Sequence, residues 1–147
     1  MSGFTLDIKN FVEKAKKNPE TVARQVSFKL FSAIIKATPV GEVNGGRLRM
    51  NWQVAGANPA TGMLDGMDKT GNNAIAKAKE YIFNTAVWYD FTMANNLPYA
   101  PVVEYGGYPG DGPNTVGGFS KQAPQGMVRV NVARFNTLLE EEAAKVR

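Results

Sequence analysis

The sequence contains neither cysteine nor histidine, and the two absences remove most of the usual catalytic and metal-binding chemistry. Without cysteine the chain has no disulfide, no thiolate metal site and no cysteine nucleophile. Without histidine it lacks the commonest general base and the commonest metal ligand. We therefore predict that the chain is not an enzyme and that it has no catalytic residue, metal site, cofactor or small-molecule substrate.

Long apolar runs are also missing. No stretch approaches the roughly 20 apolar residues that a membrane-spanning helix needs. The N-terminus, MSGFTLDIKNF, lacks the basic start and apolar middle of a signal peptide. These features predict no membrane contact and synthesis in a cytoplasm.

The composition is that of a globular protein, with 44% hydrophobic and 20% charged residues in a chain of 147. This length suits one domain over residues 1–147. The net charge of +4 is uneven, because residues 1–49 hold nine Lys or Arg against four acids. A solvated helix surface explains this excess most simply; the alternative is a nucleic-acid-binding module that uses the basic N-terminal half.

Helical spacing dominates the first third of the chain. Ile8, Phe11, Val12 and Ala15 follow the i, i+3, i+4, i+7 pattern of a short amphipathic helix. Asn18-Pro19-Glu20 is a typical helix start, with Asn18 as the N-cap. A longer helix, apolar over a wide arc, is predicted to follow and to end at Thr38-Pro39, since proline interrupts helices.

Two strands are predicted from alternation of apolar and polar residues. Near 47–55, Leu48, Met50, Trp52 and Val54 alternate with polar residues, which places Arg47 and Arg49 on the outer face. Near 86–95, aromatic residues occur on both faces, which favours a strand inside the sheet or at a subunit contact.

Glycine-rich segments and further helices complete the predicted fold. The 56–71 segment and the loop from Gly106 to Gly126 carry many glycines, and we predict that both are mobile in the free subunit and ordered on assembly. A third helix is predicted to be capped by Asn72 or Asn73, and a short one to lie within 97–105. A C-terminal helix is predicted from residue 128 onward, with the acid run 140–142 solvated. The fold class is therefore α+β: helices, including a long N-terminal and a C-terminal one, pack on a small, mostly antiparallel sheet.

The segment 95–107, NNLPYAPVVEYGG, is the best indicator of function because it combines aromatic residues, an isolated acid and a glycine pair. Glu104 either caps backbone amides or pairs with an arginine such as Arg47, Arg49 or Arg129. The tyrosines here either stack on single-stranded nucleic acid or anchor a protein interface, and the interface is favoured. No spacing among the loop acids singles out a catalytic pair.

Several blocks occur together in a familiar order: ATPVG, GGRLRMNWQVAGANP, MANNLPYAPVVEYGG and QAPQGMVRVNVARF. In this order the chain, from about Lys36 to Phe135, resembles the tail-component family of long-tailed bacteriophages. Members of that family act as neck or tail-completion proteins at the head-to-tail junction. The 56–71 loop and the glycine loop depart from the family pattern in length.

The resemblance implies a structural virion protein at the neck or tail, made in the host cytoplasm. It implies a homo-oligomeric, closed ring of six copies around the channel through which DNA passes, in contact with head-completion, connector and tail-tube proteins. A ring needs a heterologous interface, in which one patch meets a different patch on the next subunit. We place one patch on Tyr99, Val103, Glu104, Tyr105, Gly106 and Gly107, and the complementary patch on Arg47, Arg49, Trp88 and Asp90.

Overall fold

The fold is known from a computed structural model of the chain, which describes residues 4–7, 19–42 and 45–145. The described helices are α1 (Pro19–Ala37), α2 (Arg47–Met50), α3 (Asn72–Asn84), α4 (Ala100–Tyr105), α5 (Arg129–Val132) and α6 (Phe135–Lys145). The described strands are β1 (Phe4–Asp7), β2 (Trp52–Ala55), β3 (Thr92–Asn95), β4 (Thr115–Val116) and β5 (Phe119–Ser120). The α+β class predicted from sequence is confirmed.

Three strands form an antiparallel sheet in the order β1-β3-β2, and β4 and β5 form a separate hairpin. In the sheet, Asn95 of β3 faces Phe4 of β1 on one side and Trp52 of β2 on the other. All four residues of β3 are buried. The central position of β3 explains why its polar residues do not mark an exposed face.

The predicted strand near 47–55 is wrong in its first half. Residues 47–50 form the single turn α2, which follows Gly46 in the left-handed region (φ 102°). A side chain on Gly46 would lie 2.7 Å from the backbone of Asp68, so only glycine fits there. The alternation of polar and apolar residues over 47–50 does not by itself specify a strand, and the backbone at Gly46 starts a helical turn there instead. The predicted strand near 86–95 is also shorter than expected. It covers only Thr92–Asn95, and residues 86–91 lead into it without regular secondary structure.

Helix α1 occupies the centre of the structure. Its described part runs from Pro19, and the proposed cap Asn18 and the short helix over 8–15 lie outside the described residues. Its buried positions cover a wide arc because it packs against α3 on one side and α6 on another. Those positions are Val22, Ala23, Val26, Ser27, Leu30, Phe31, Ile34 and Ile35.

The predicted C-terminal helix is two helices, α5 and α6, with a turn between them. The prediction that the acid run 140–142 is solvated is correct for Glu140 and Glu141 and wrong for Glu142, which is only 3% exposed. Lys29 of α1 forms an ion pair with Glu142, and Lys145 donates a 3.2 Å hydrogen bond to it. The buried acid therefore joins α6 to α1.

Helix α3 begins at Asn72, but neither of the two asparagines caps it with its side chain. The carboxylate of Asp68 does so instead: its Oδ2 accepts a 2.8 Å hydrogen bond from the N–H of Ala74. An acid near the first turn also suits the helix dipole. The cap thus comes from the preceding loop rather than from the helix itself.

Side-chain amides fasten the 56–71 loop to the sheet. Asn51 both donates to the carbonyl of Leu64 (3.1 Å) and accepts from its N–H (2.7 Å), as a neighbouring strand would. Gln53 donates to the carbonyl of Gly62, and Asn96 donates to the carbonyls of Ala60 and Gly62. These bonds favour an ordered loop already in the single chain, in contrast to the mobile loop predicted from composition.

Candidate interaction surface

Glu104 lies at the centre of the segment that the sequence singled out, and it is completely buried. Its Oε1 accepts hydrogen bonds from the backbone N–H groups of Met127 (2.6 Å) and Val128 (2.7 Å). Its Oε2 accepts from the N–H and the Nε of Arg129, at 2.9 and 3.0 Å. A buried carboxyl group that accepts four hydrogen bonds is fixed in position by them. Glu104 therefore fixes the start of α5 against the end of α4.

Arg129 extends this arrangement to the surface. Its Nη2 donates a 2.6 Å hydrogen bond to the carbonyl of Glu104, and its guanidinium lies 4.8 Å from the centre of the Tyr105 ring. Tyr105 is 56% exposed, and the Arg129 side chain is 53% exposed. A guanidinium over an aromatic face gives a favourable cation–π contact. The result is an exposed aromatic ring whose cationic partner is anchored to a buried acid.

Gly126 allows Glu104 to reach these amides. A Cβ at Gly126, whose φ is +88°, would lie 2.6 Å from the carbonyl oxygen of Glu104 and 2.7 Å from its Oε1. Both neighbours are fixed, one by the backbone and the other by its hydrogen bonds. Position 126 therefore requires glycine on grounds of space as well as conformation.

The predicted interface patch on α4 is only partly at the surface. Val103 and Glu104 are buried within the chain, so the predicted role of Glu104 as a charged contact to a neighbour is wrong. Its alternative role, as a cap for backbone amides and a partner of Arg129, is confirmed. Tyr105 and Gly107 are exposed, while Tyr99 and Gly106 are partly buried.

The glycine pair joins α4 to the hairpin. The N–H groups of Gly107 and Tyr108 both donate to the carbonyl of Gly118, at 2.9 and 3.0 Å. At Gly106 a Cβ would meet the Phe119 ring at 3.1 Å. These contacts hold the glycine pair in place at the start of a loop that its composition predicts to be mobile.

The two arginines of the complementary patch have different environments. The guanidinium of Arg49 donates to three backbone carbonyls: Thr38 (2.8 Å), Lys69 (2.6 Å) and Lys36 (2.9 Å). Its predicted place on the outer face of a strand is wrong, because it binds the end of α1 to the loop before α3. Arg47 is exposed, and no hydrogen bond or ion pair within the described residues engages its guanidinium.

The other half of that patch, Trp88 and Asp90, precedes β3 instead of lying on its outer face. Asp90 is buried, at 7% exposure. Trp88 is half-buried and packs edge-on against Tyr89, with ring centres 5.8 Å apart. Tyr89 and Val87 are exposed, at 53% and 41%. The surface here is therefore aromatic and apolar, without the predicted acid.

A cavity of about 350 Å³ brings the predicted residue Arg47 together with two others, Tyr99 and Val103, from a distant part of the sequence. We call it the Arg47 cavity. Its lining includes Arg47, Leu48, Tyr99, Val103, Tyr108 and Gln122. Tyr108 and Gln122 were not among the predicted site residues, since nothing in their local sequence signals a shared wall with residue 47.

The tyrosines of the Arg47 cavity are neutral hydrogen-bond donors at neutral pH. Burial raises the pKa of Tyr99 above its usual value, and the nearby Arg47 offsets only part of this effect. Burial also raises the pKa of Tyr108. Two neutral phenols and the Arg47 guanidinium therefore line one space together with the exposed acid Glu42, and the three donor groups suit an anionic oxygen.

Gln122 closes one side of the cavity. Its Oε1 accepts from the N–H of Val40 (2.9 Å), and its Nε2 donates to the carbonyl of Val40 (2.7 Å). This double hydrogen bond joins the turn after β5 to the segment after α1. The wall is thus set by the chain's own contacts before any ligand binds.

The basic N-terminal half is largely engaged within the chain where it is described. Arg24 bonds to Glu20 and to the carbonyl of Ile82, Lys29 pairs with Glu142, and Arg49 binds its three carbonyls. Lysines 9, 14, 16 and 17 lie outside the described residues. Over the described part, the excess charge is therefore mainly structural.

Among residues 4–7, 19–42 and 45–145, no group of three or more acidic side chains is arranged to hold a metal ion. None of the helices in this part of the chain is long and apolar enough to cross a bilayer. Comparisons with protein-family models, with curated proteins and with solved structures found no match to the chain.

Proposed function

We propose that the chain is a structural virion protein at the bacteriophage head–tail junction, acting in neck assembly, tail completion or tail termination. In this proposal six copies form a closed ring around the DNA channel and contact the neighbouring head-completion, connector and tail-tube proteins. The proposal combines the order of the sequence blocks that resemble the tail-component family with the surface built around Tyr105.

The observation that carries the proposal is the exposed Tyr105–Arg129 pair. Tyrosine and arginine are among the residues that most often dominate protein interfaces, and here an exposed tyrosine ring lies under an exposed guanidinium. Here Arg129 is held by the buried Glu104, so little side-chain freedom remains to be lost on binding. The surface is prepared for a protein partner.

The arrangement on α4 also supports a heterologous contact. Val103 lines the Arg47 cavity, and Tyr105 lies two residues further along the helix, about 200° around its axis. The Tyr105 surface and the cavity therefore lie on opposite faces of one helix. Two different surfaces that face away from each other are what a ring requires.

The test is the assembly of heads onto tails with variant protein. Tyr105→Ala is expected to reduce the number of joined particles seen by electron microscopy, because loss of an interface anchor costs about 2 kcal/mol or more per contact. Tyr105→Phe keeps the ring beneath Arg129 and is expected to assemble nearly as well as wild type. The purified variants should unfold within about 1 kcal/mol of wild type, because Tyr105 is largely exposed.

Normal joining of heads to tails by Tyr105→Ala would remove Tyr105 from the interface. If Tyr105→Ala combined with Arg129→Ala also assembled normally, although it removes the Arg129 side-chain hydrogen bonds to Glu104, the virion role assigned to this surface would be wrong.

A further inference from the structure

We propose that the Arg47 cavity of one copy receives the loop 63–67 of the next copy, with the Asp65 carboxylate bound by Arg47 and the tyrosine hydroxyls. This inference rests on the proposed ring and names the contact that closes it. It also corrects the charge complement expected from sequence, where Glu104 was the acid opposite the basic patch.

Arg47 is the first reason. Its guanidinium has no partner among the described residues, although Glu42 also lines the cavity. Arg49, two residues away, shows what the chain does with an arginine that serves its own fold: all three of its donor nitrogens bind backbone carbonyls. The exposed Arg47 guanidinium lines the cavity and binds no described residue, so it is available to an acid from another chain.

The remaining lining defines the rest of the ligand. Leu48 and Val103 are buried and give the cavity an apolar floor, while Tyr99 and Tyr108 supply neutral hydroxyl donors. A carboxylate alone would leave this floor uncovered. The cavity therefore suits a carboxylate that is flanked by apolar side chains.

The loop 63–67, with the sequence MLDGM, has this composition. Met63 and Met67 are both 55% exposed, and Asp65 between them is exposed. Among the exposed acids of the described residues, Asp65 is the one with a large exposed hydrophobic residue two positions away on either side. Its carboxylate forms no hydrogen bond or ion pair with another described residue. Methionine side chains also adapt readily to an irregular apolar surface.

The loop is held in a shape that presents Asp65. Leu64 is fixed by its two hydrogen bonds to Asn51. Gly62 and Gly66, at φ +83° and +109°, bend the backbone on either side of residues 63–65. Because the loop is ordered before contact, little conformational entropy is lost on docking.

Charge reversal in trans tests the contact directly. Arg47→Asp alone and Asp65→Arg alone should each self-associate at least about tenfold more weakly than wild type, because each puts like charges opposite each other. An equal mixture of the two variants should recover the wild-type oligomer. In alternating order, the new aspartate at position 47 faces the new arginine at position 65, and the original pair meets at the next interface. Analytical ultracentrifugation over a range of concentrations gives the association constants.

Lys77→Asp and Glu80→Arg are the matched controls, since both residues are exposed on α3 and neither lines the cavity. Each alone and their mixture should associate as wild type does. Thermal unfolding of every variant shows whether a lost oligomer reflects a lost fold. The docking is supported if each charge-reversal variant is folded, associates weakly alone, and forms the wild-type oligomer when the two are mixed.

The docking is overturned if either single charge reversal forms the wild-type oligomer, if the mixture of folded variants does not recover it, or if wild type remains monomeric at every concentration. If both charge-reversal variants form the same oligomer as wild type, the docking is wrong but the virion role is unaffected. That role is tested separately by the joining of heads to tails with Tyr105→Ala.

Discussion

The carboxylate of Glu104 lies 2.6 Å from the backbone N–H of Met127, although 23 residues separate the two along the chain. This contact determines where α5 begins, holds Arg129 over the exposed ring of Tyr105, and requires a glycine at position 126. A buried acid thus shapes an exposed surface without being part of it.

Replacing Glu104 by glutamine should lower the free energy of unfolding by about 3 kcal/mol, because an amide offers one acceptor oxygen where four donors need two. The unpaired NH₂ group would face the donors of Arg129. Urea unfolding measures the loss. Glu141→Gln, on the exposed face of α6, should change the stability by less than about 0.5 kcal/mol. Equal stability of the two variants would mean that Glu104 is not the structural anchor described here.

Gly126→Ala should be markedly more destabilising than Gly117→Ala. Both glycines have positive φ, +88° and +61°, so alanine at either position costs about 1 kcal/mol of backbone strain. Only at Gly126 would the new Cβ also meet a carbonyl and a carboxylate oxygen at 2.6 and 2.7 Å, whereas nothing lies within 4 Å of it at Gly117. Thermal unfolding of the two variants gives the difference, and similar values would show that the close approach of Glu104 and Gly126 is relaxed in solution.

Arg49→Lys should cost about 2 kcal/mol of stability, because an ammonium cannot reach three carbonyls held around a planar guanidinium. Arg47→Lys should cost less than about 0.5 kcal/mol, since Arg47 binds nothing else in the described chain. Chemical denaturation of both variants makes the comparison. An equal cost at the two positions would contradict the assignment of Arg49 to the fold and of Arg47 to a partner.

The pairing of α1 with α6 should depend on pH at both extremes. Burial raises the pKa of Glu142, but hydrogen bonds from Lys29 and Lys145 outweigh it and leave the pKa below the usual 4.5. The hydrogen bond to Glu142 raises the pKa of Lys29 above 10.5. The contribution of Glu142 to the free energy of unfolding is therefore complete above pH 4.5 and is lost as the pH falls through its lowered pKa. The contribution of Lys29 is complete below pH 10.5 and is lost as the pH rises through its raised pKa.

Unfolding of wild type and Glu142→Gln across this range tests the pairing. The stability difference between the two should be constant between about pH 5 and 10 and should shrink below and above that window. Glu140→Gln, at an exposed position, is the control and should follow wild type throughout. A difference between wild type and Glu142→Gln that did not vary with pH would contradict the ion pair.

Asn51→Ala should release the loop 56–71 from the sheet. The N–H of Leu64 then loses the acceptor that holds it at 2.7 Å, and its hydrogen exchange should become faster by at least about tenfold, the effect of losing about 1.4 kcal/mol. Amides of β3 should exchange as in wild type. Fast exchange at Leu64 already in wild type would instead support the mobile loop predicted from composition.

The sequence predicts the elements whose pattern is long and local. The course of helix α1 and its end before Pro39 are predicted correctly, because proline and helical spacing act over neighbouring residues. The strand predicted over 47–55 fails in its first half, since the left-handed Gly46 starts a helical turn there despite the alternation of polar and apolar residues.

The environment of the site residues is less predictable, because it depends on contacts between distant parts of the chain. Glu104 meets donors 23 to 25 residues away, and Gln122 reaches Val40 across 82 residues. Tyr105 is the predicted interface residue whose exposure fits its assigned role most clearly. The sequence also draws no distinction between Arg47 and Arg49, which flank Leu48 and have opposite roles in the structure.

The most direct test of the account is the mass of this protein's assembly within the virion, compared with its mass when purified. Mild disruption of the particle should release a closed ring of six copies from the head–tail junction, with its mass measured by native mass spectrometry. A stable small dimer that binds DNA with an affinity falling steeply with salt would contradict it and would favour a nucleic-acid-binding module instead.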